Sequence, residues 1–85
     1  MNESDVAARM EMWVRRQFSV SSADQRFGQK IDLFENGYVD SVGLAELIGF
    51  LEEEFGVEIS DEVLVSNEFT TIDGISQAVY RLANG

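Results

Sequence analysis

Apolar residues recur at helical spacing in three segments of the chain. In the first segment the apolar positions are Val6, Met10, Trp13, Val14 and Phe18. They form one apolar face, which predicts a helix over about residues 5–18. Either Asn2 or Ser4 can cap its N-terminus, because both side chains carry an oxygen that accepts hydrogen bonds from the exposed NH groups of a first turn.

The second segment has the clearest periodicity. Its apolar positions are Leu44, Leu47, Ile48, Leu51 and Phe55. This spacing predicts a helix over about residues 41–55, with Asp40 as its N-cap and Gly56 at its end. The acidic residues predicted to lie on its outer face are Glu46, Glu52, Glu53 and Glu54.

The third segment lies near the end of the chain. Its apolar positions are Ile72, Ile75, Val79 and Leu82, which predict a helix over about residues 72–83 with Thr71 as its cap. Ahead of it, Ser60 is followed by two acidic residues and then by an apolar pair, which predicts one short helix over about residues 61–65. No segment shows the alternation of a strand. The pattern therefore predicts an all-α fold, a bundle of three main helices and one short one.

Residues 19–40 show no regular period and predict a long first loop. Ile31, Leu33 and Phe34 are its expected anchors in the core. The pair Asn36-Gly37 favours positive φ angles and predicts a tight turn just before the second helix. A loop of this length in a small domain is often functional.

The composition narrows the class of protein. With 85 residues and 45% hydrophobic content, the chain has the size of one ordered domain, residues 1–85. Cysteine is absent, which excludes disulfides and thiolate metal sites. No apolar stretch is long enough for a membrane span, and the acidic start is unlike a secretory signal, so a cytoplasmic location is expected.

The charge is unevenly distributed. The net charge is −10, and residues 31–80 contain twelve acidic and no basic residues. Nucleic acid would be repelled by such a chain, so the expected partners are basic proteins. From the residues alone, this acidic tract is either a surface that promotes solubility or a docking face.

Ser41 is the candidate for chemistry, because it follows Asp40 at the start of the strongest predicted helix. A serine at this position is usually a cap, but Asp40 already fits that role. A serine nucleophile needs a base; the chain has no histidine, and Lys30 belongs to no motif with Ser41. A hydroxyl without an internal base can still be the substrate of another enzyme. The N-terminus of a helix favours phosphate, so phosphorylation and phosphopantetheinylation both fit.

The sequence around Ser41 resembles the attachment motif of acyl carrier proteins. The motif covers residues 40–48, DSVGLAELI. Upstream, residues 32–37 (DLFENG) are similar to the family's approach to the motif. Downstream, residues 50–57 (FLEEEFGV) and 69–72 (FTTI) stand at the expected distances, so the similarity spans about residues 5–82.

The resemblance implies a four-helix carrier that is not itself an enzyme. Ser41 would receive 4′-phosphopantetheine from coenzyme A through a separate magnesium-dependent phosphopantetheinyl transferase. The terminal thiol of that arm would hold an acyl or aminoacyl cargo as a thioester. By the same resemblance, Asp40 helps the transferase, while Val42 and Glu46 belong to the surface that partner enzymes recognise along the second helix. These partners are a loading enzyme and downstream transferases or synthases with basic docking surfaces, and the carrier is expected to be a monomer.

The motif also indicates a subtype. Val42 stands where carriers of fatty acid synthesis usually have leucine, and residues 34–39 (FENGYV) are closer to stand-alone carriers of specialised pathways and to D-alanyl carriers. The Gly-Gly-His-Ser or Gly-Gly-Asp-Ser pattern of peptidyl carrier domains is missing. The expected role is a stand-alone carrier in a specialised biosynthetic pathway, with a D-alanyl carrier or a fatty-acid carrier as alternatives.

Two other classes fit parts of the sequence. Asp32, Asn36, Gly37 and Asp40 match positions of a calcium-binding EF-hand loop, but Phe34 and Gly43 occupy positions that need oxygen ligands. An unmodified acidic adaptor, with Ser41 as an ordinary surface residue, is the alternative from a different functional class.

Overall fold

In a computed structural model that describes residues 1–85, the chain forms four helices and no strand. The helices are α1 (Glu3–Gln17), α2 (Ser41–Phe55), α3 (Asp61–Leu64) and α4 (Ile72–Asn84). The predicted all-α class is confirmed, and α2 has the predicted bounds. None of the four helices combines the length and apolar character that crossing a membrane requires.

The N-terminus of α1 lies two residues earlier than predicted. Asn2 Oδ1 accepts a hydrogen bond from the Asp5 NH at 2.9 Å, and the Asp5 carboxylate accepts one from the Asn2 NH at 3.2 Å. This reciprocal pair is a capping box, and it selects Asn2 over Ser4 as the cap. Ser60 and Thr71 cap α3 and α4, as predicted.

The core lies between α1, α2, α4 and the first loop. Its fully buried side chains include Met10, Val14, Leu33, Leu47, Leu51, Ile72, Ile75 and Val79. The predicted apolar face of α4 does not extend to Leu82, which is 41% exposed.

Glu52 departs from the predicted outer face of α2. Its side chain is half-buried, and its Oε2 accepts a hydrogen bond from the backbone NH of Ile59 at 2.9 Å. Ile59 is itself buried. The carboxylate therefore fixes the link between α2 and α3, whereas Glu46, Glu53 and Glu54 are exposed as predicted.

The first loop is fixed to the core by backbone hydrogen bonds. The Leu33 NH donates to the Thr70 carbonyl at 2.9 Å, and the Asp73 NH donates to the Gln29 carbonyl at 2.8 Å. Leu33 is fully buried, as predicted, whereas Ile31 and Phe34 are only half-buried. The loop has two further buried anchors that its sequence pattern did not indicate, Phe27 and Val39.

Phe27 is held between α1 and the end of the loop. The Arg15 guanidinium lies 4.6 Å from the centre of the Phe27 ring, a cation–π contact. On another side, Tyr38 meets Phe27 edge to face with ring centres 5.1 Å apart. The Tyr38 OH donates to the Asp24 carboxylate at 2.7 Å. That hydrogen bond, with the NH groups of Arg26 and Phe27, lowers the pKa of Asp24.

Replacing Tyr38 with phenylalanine should raise the pKa of Asp24 towards its ordinary value. In the wild type the pKa of Asp24 is lower in the folded state than in the unfolded state. The ionised Asp24 carboxylate therefore stabilises the fold, and this stabilisation is fully present above the unfolded-state pKa. It is lost as the pH falls through the folded pKa. A carboxyl-carbon NMR titration of Asp24 measures the shift, with Tyr80→Phe as the control; an unchanged Asp24 pKa in Tyr38→Phe would contradict the contact.

Three glycines lie inside helices and differ in what surrounds them. A Cβ atom built on Gly74 would lie 2.0 Å from the Glu68 carbonyl oxygen, and one built on Gly43 would lie 2.7 Å from the Phe18 ring. Both glycines therefore allow a close approach between elements. Gly49, in the middle of α2, is not required by a close contact, since nothing lies within 4 Å of the position that a Cβ atom would occupy.

Substitution of Gly49 by alanine is expected to stabilise the fold by roughly 0.5–1 kcal/mol, because glycine in a helix interior loses more backbone freedom on folding than alanine does. Urea denaturation followed by circular dichroism measures the change. A destabilised Gly49→Ala variant would show that the space beside this residue is not free.

Candidate functional site

Asp40 caps the start of α2. Its Oδ1 accepts a hydrogen bond from the Gly43 NH at 2.8 Å, and its carbonyl accepts one from the Leu44 NH at 2.8 Å. The backbone of Asp40 is extended, with φ −102° and ψ −171°, as expected of an N-cap. The predicted capping role of Asp40 is confirmed.

Ser41 is the first residue of α2, and its side chain is exposed. Because Asp40 supplies the cap, the Ser41 hydroxyl is left available to solvent and to an external enzyme. The backbone NH groups of Ser41 and Val42 donate to no carbonyl in the chain. A phosphate ester on Ser41 would therefore meet unpaired NH donors and the positive end of the helix dipole.

The start of α2 is held in place by contacts with the first loop and with the end of α1. Val39 is buried, and its NH and the Tyr38 NH both donate to the Leu33 carbonyl, at 3.1 and 2.9 Å. On the other side, Gly43 lies against the ring of Phe18, just beyond the end of α1. The position of Ser41 is thus fixed by the first loop and by α1.

Asp32 has a structural role in the turn that precedes α2. Asp32 Oδ1 accepts hydrogen bonds from the NH groups of Phe34 and Glu35, both at 2.9 Å. Gly37 has a φ angle of +76°, as the Asn36-Gly37 pair predicts. Asp32 therefore shapes the approach to the helix.

Val42 and Glu46 lie one helical turn apart on α2, so they share a face. Val42 is 71% exposed, so its apolar side chain is available for a contact. The Glu46 Oε2 atom accepts a hydrogen bond from Gln17 Nε2 of α1 at 3.0 Å. Sequence pattern did not indicate Gln17 here, because only the packing of the helices brings these two residues together.

The exposed surface of α2 is acidic and contains no cation. Glu54 forms an ion pair with Arg9 of α1 at 2.7 Å. Glu46 and Glu53 have no ion-pair partner, so their negative charge is available to a basic surface. The four residues predicted from sequence (Asp40, Ser41, Val42 and Glu46) are all exposed, at the cap and within the first half of α2.

The fold and this site define a class of protein: a small helical domain with an accessible serine at a helix start. The sequence profile of the family described as "phosphopantetheine attachment site" matches residues 14–79. This chain belongs to that family, whose members bind 4′-phosphopantetheine covalently in a carrier role. A comparison with curated proteins found no match.

Proposed function

We propose that this chain is a single-domain carrier protein that holds an acyl or aminoacyl group on 4′-phosphopantetheine attached to Ser41. The observation that supports this most directly is the exposed Ser41 hydroxyl, which stands beside a separate capping residue, Asp40. The family match supplies the identity of the cofactor, and the geometry of α2 supports the choice of residue.

Attachment requires a phosphoryl transfer in the active site of a phosphopantetheinyl transferase. A bond forms between Ser41 Oγ and the phosphorus next to the pantetheine of coenzyme A. The pyrophosphate bond breaks, adenosine 3′,5′-bisphosphate leaves, and the transferase takes up the serine proton. The attached group supplies a flexible arm with a terminal thiol, to which the cargo binds as a thioester. The chain itself presents the hydroxyl and offers the free NH groups of the first turn to the phosphate.

Partner enzymes are proposed to recognise Asp40, Val42 and Glu46. Two of these residues carry negative charge, and the third offers an exposed apolar contact. A carrier must meet several enzymes and leave each one, a task that suits electrostatic steering with modest affinity. The net charge of −10 also suits a monomer, and a cytoplasmic location is proposed.

The proposed cargo is a short acyl or aminoacyl unit of a specialised biosynthetic pathway. The support is the likeness of residues 34–39 and of Val42 to carriers of that kind. The alternatives are a D-alanyl carrier and a carrier of fatty acid synthesis. Assays of the modified chain with a panel of adenylating ligases and acyl transferases discriminate among the three.

Intact-mass measurement tests the carrier role. The full chain is co-expressed with a broad-specificity phosphopantetheinyl transferase, and a known carrier is treated in parallel as the positive control. The expected result is a gain of one phosphopantetheine group. If the control is modified and this chain is not, the carrier proposal fails and the acidic adaptor remains.

A further inference from the structure

A groove runs between α1 and α2 along the side of the bundle. Its floor is the stacked pair Trp13 and Phe50, whose ring centres are 4.6 Å apart with the planes inclined by 10°. Both rings are only half-buried. A depression of ≈ 500 Å³ lies on the α2 side of this pair, and one of ≈ 230 Å³ lies on the α1 side. Aromatic surface is thus left accessible in two depressions that Ser41 does not line.

Gly49 keeps this groove open. It lines the larger depression, and no atom lies near the position where its Cβ would be. Glycine weakens a helix interior, and the two other helix-interior glycines are explained by close contacts with Phe18 and Glu68. Gly49 has no such close contact; because it lines the larger depression without a side chain, it leaves the aromatic floor accessible.

The two rims of the groove carry exposed charged and apolar side chains. On the α2 rim, Glu46 and Glu53 are exposed carboxylates without an ion-pair partner. On the α1 rim, Met12 is 55% exposed beside Arg16. A second copy of the chain would add another ten net negative charges, so repulsion disfavours self-association across this face.

We infer that this groove is a docking site for an amphipathic helix of a partner protein. An apolar side chain of that helix inserts over the Trp13–Phe50 pair, and lysine or arginine residues beside it contact Glu46 and Glu53. The apolar anchor supplies affinity in a desolvated pocket, and the charged rim supplies orientation. The proposed contact involves α1 as well as α2. The inference rests on the proposed carrier function, in which the chain meets several partner enzymes, but it does not require modification of Ser41.

A synthetic peptide tests the docking site on the full, unmodified chain. The probe is a short helical peptide with a leucine stripe flanked by lysines, titrated at physiological ionic strength. The readouts are Trp13 fluorescence and amide NMR shifts. The expected result is saturable binding with the largest shifts at the Trp13 indole and the Gly49 amide, and Gly49→Leu should weaken it by at least about tenfold. Ala23→Leu, which adds the same side chain to the exposed first loop, should bind the peptide as the wild type does.

Several outcomes would overturn this inference. One is equal affinity of the wild type and Gly49→Leu for the peptide, with the folding of the variant verified by circular dichroism. Another is equal binding of a peptide whose leucines are replaced by alanine, which would indicate charge attraction alone. A third is dimerisation of the free chain through this face. The intact-mass measurement on the wild type reports separately on the carrier proposal, so each can fail alone.

Discussion

Replacement of Ser41 by alanine is expected to abolish phosphopantetheine attachment completely, because the hydroxyl oxygen that forms the phosphate ester is removed. The fold should be retained. The Ser41 side chain is exposed, the helix cap belongs to Asp40, and alanine is well accepted in a helix. After co-expression with a transferase, the mass of Ser41→Ala should remain that of the unmodified chain, while circular dichroism matches the wild type.

Two control variants make this result specific. Ser60→Ala removes a different serine at a helix start, the cap of α3, and should leave modification complete. Asp40→Asn keeps a capping oxygen but removes a charge, so it should be modified more slowly than the wild type. An arm found on Ser41→Ala would place the attachment on another hydroxyl and refute the proposed site.

The helices themselves were predictable because local signals agree. In α2 the apolar period, the cap at Asp40 and the ending at Gly56, whose φ angle is +65°, all indicate the same bounds. The start of α1 was misplaced because Asn2 and Ser4 are both good caps. The structure shows that Asp5 decides between them, through a hydrogen bond back to the Asn2 NH.

The first loop could not be derived in the same way. Its anchors Phe27 and Val39 follow no period, since each is fixed by a contact with a residue elsewhere in the chain: Phe27 by Arg15 of α1, and the Val39 backbone by the Leu33 carbonyl.

The roles of the acidic residues of α2 could not be predicted from sequence either. Glu46 and Glu52 look alike in sequence, yet one contacts Gln17 and the other binds the Ile59 backbone.

Gly74→Ala is expected to be the most destabilising of the substitutions considered, by about 3 kcal/mol. The added methyl carbon would lie 2.0 Å from the Glu68 carbonyl oxygen and 2.9 Å from the Glu68 carbonyl carbon. These are backbone atoms, so no side-chain rotation relieves the clash. Either the start of α4 or the turn before it must move, and that turn leads into buried Phe69. Thermal unfolding should show a midpoint lowered by more than about 10 °C.

Gly49→Ala is the matched control for this result. Both variants replace a helical glycine by alanine, so the loss of freedom in the unfolded chain is the same in each. The difference between them therefore isolates the contact with Glu68, and the two variants should shift the unfolding midpoint in opposite directions. If Gly74→Ala were as stable as Gly49→Ala, the turn around Glu68 would not pack on α4 as closely as the structure shows.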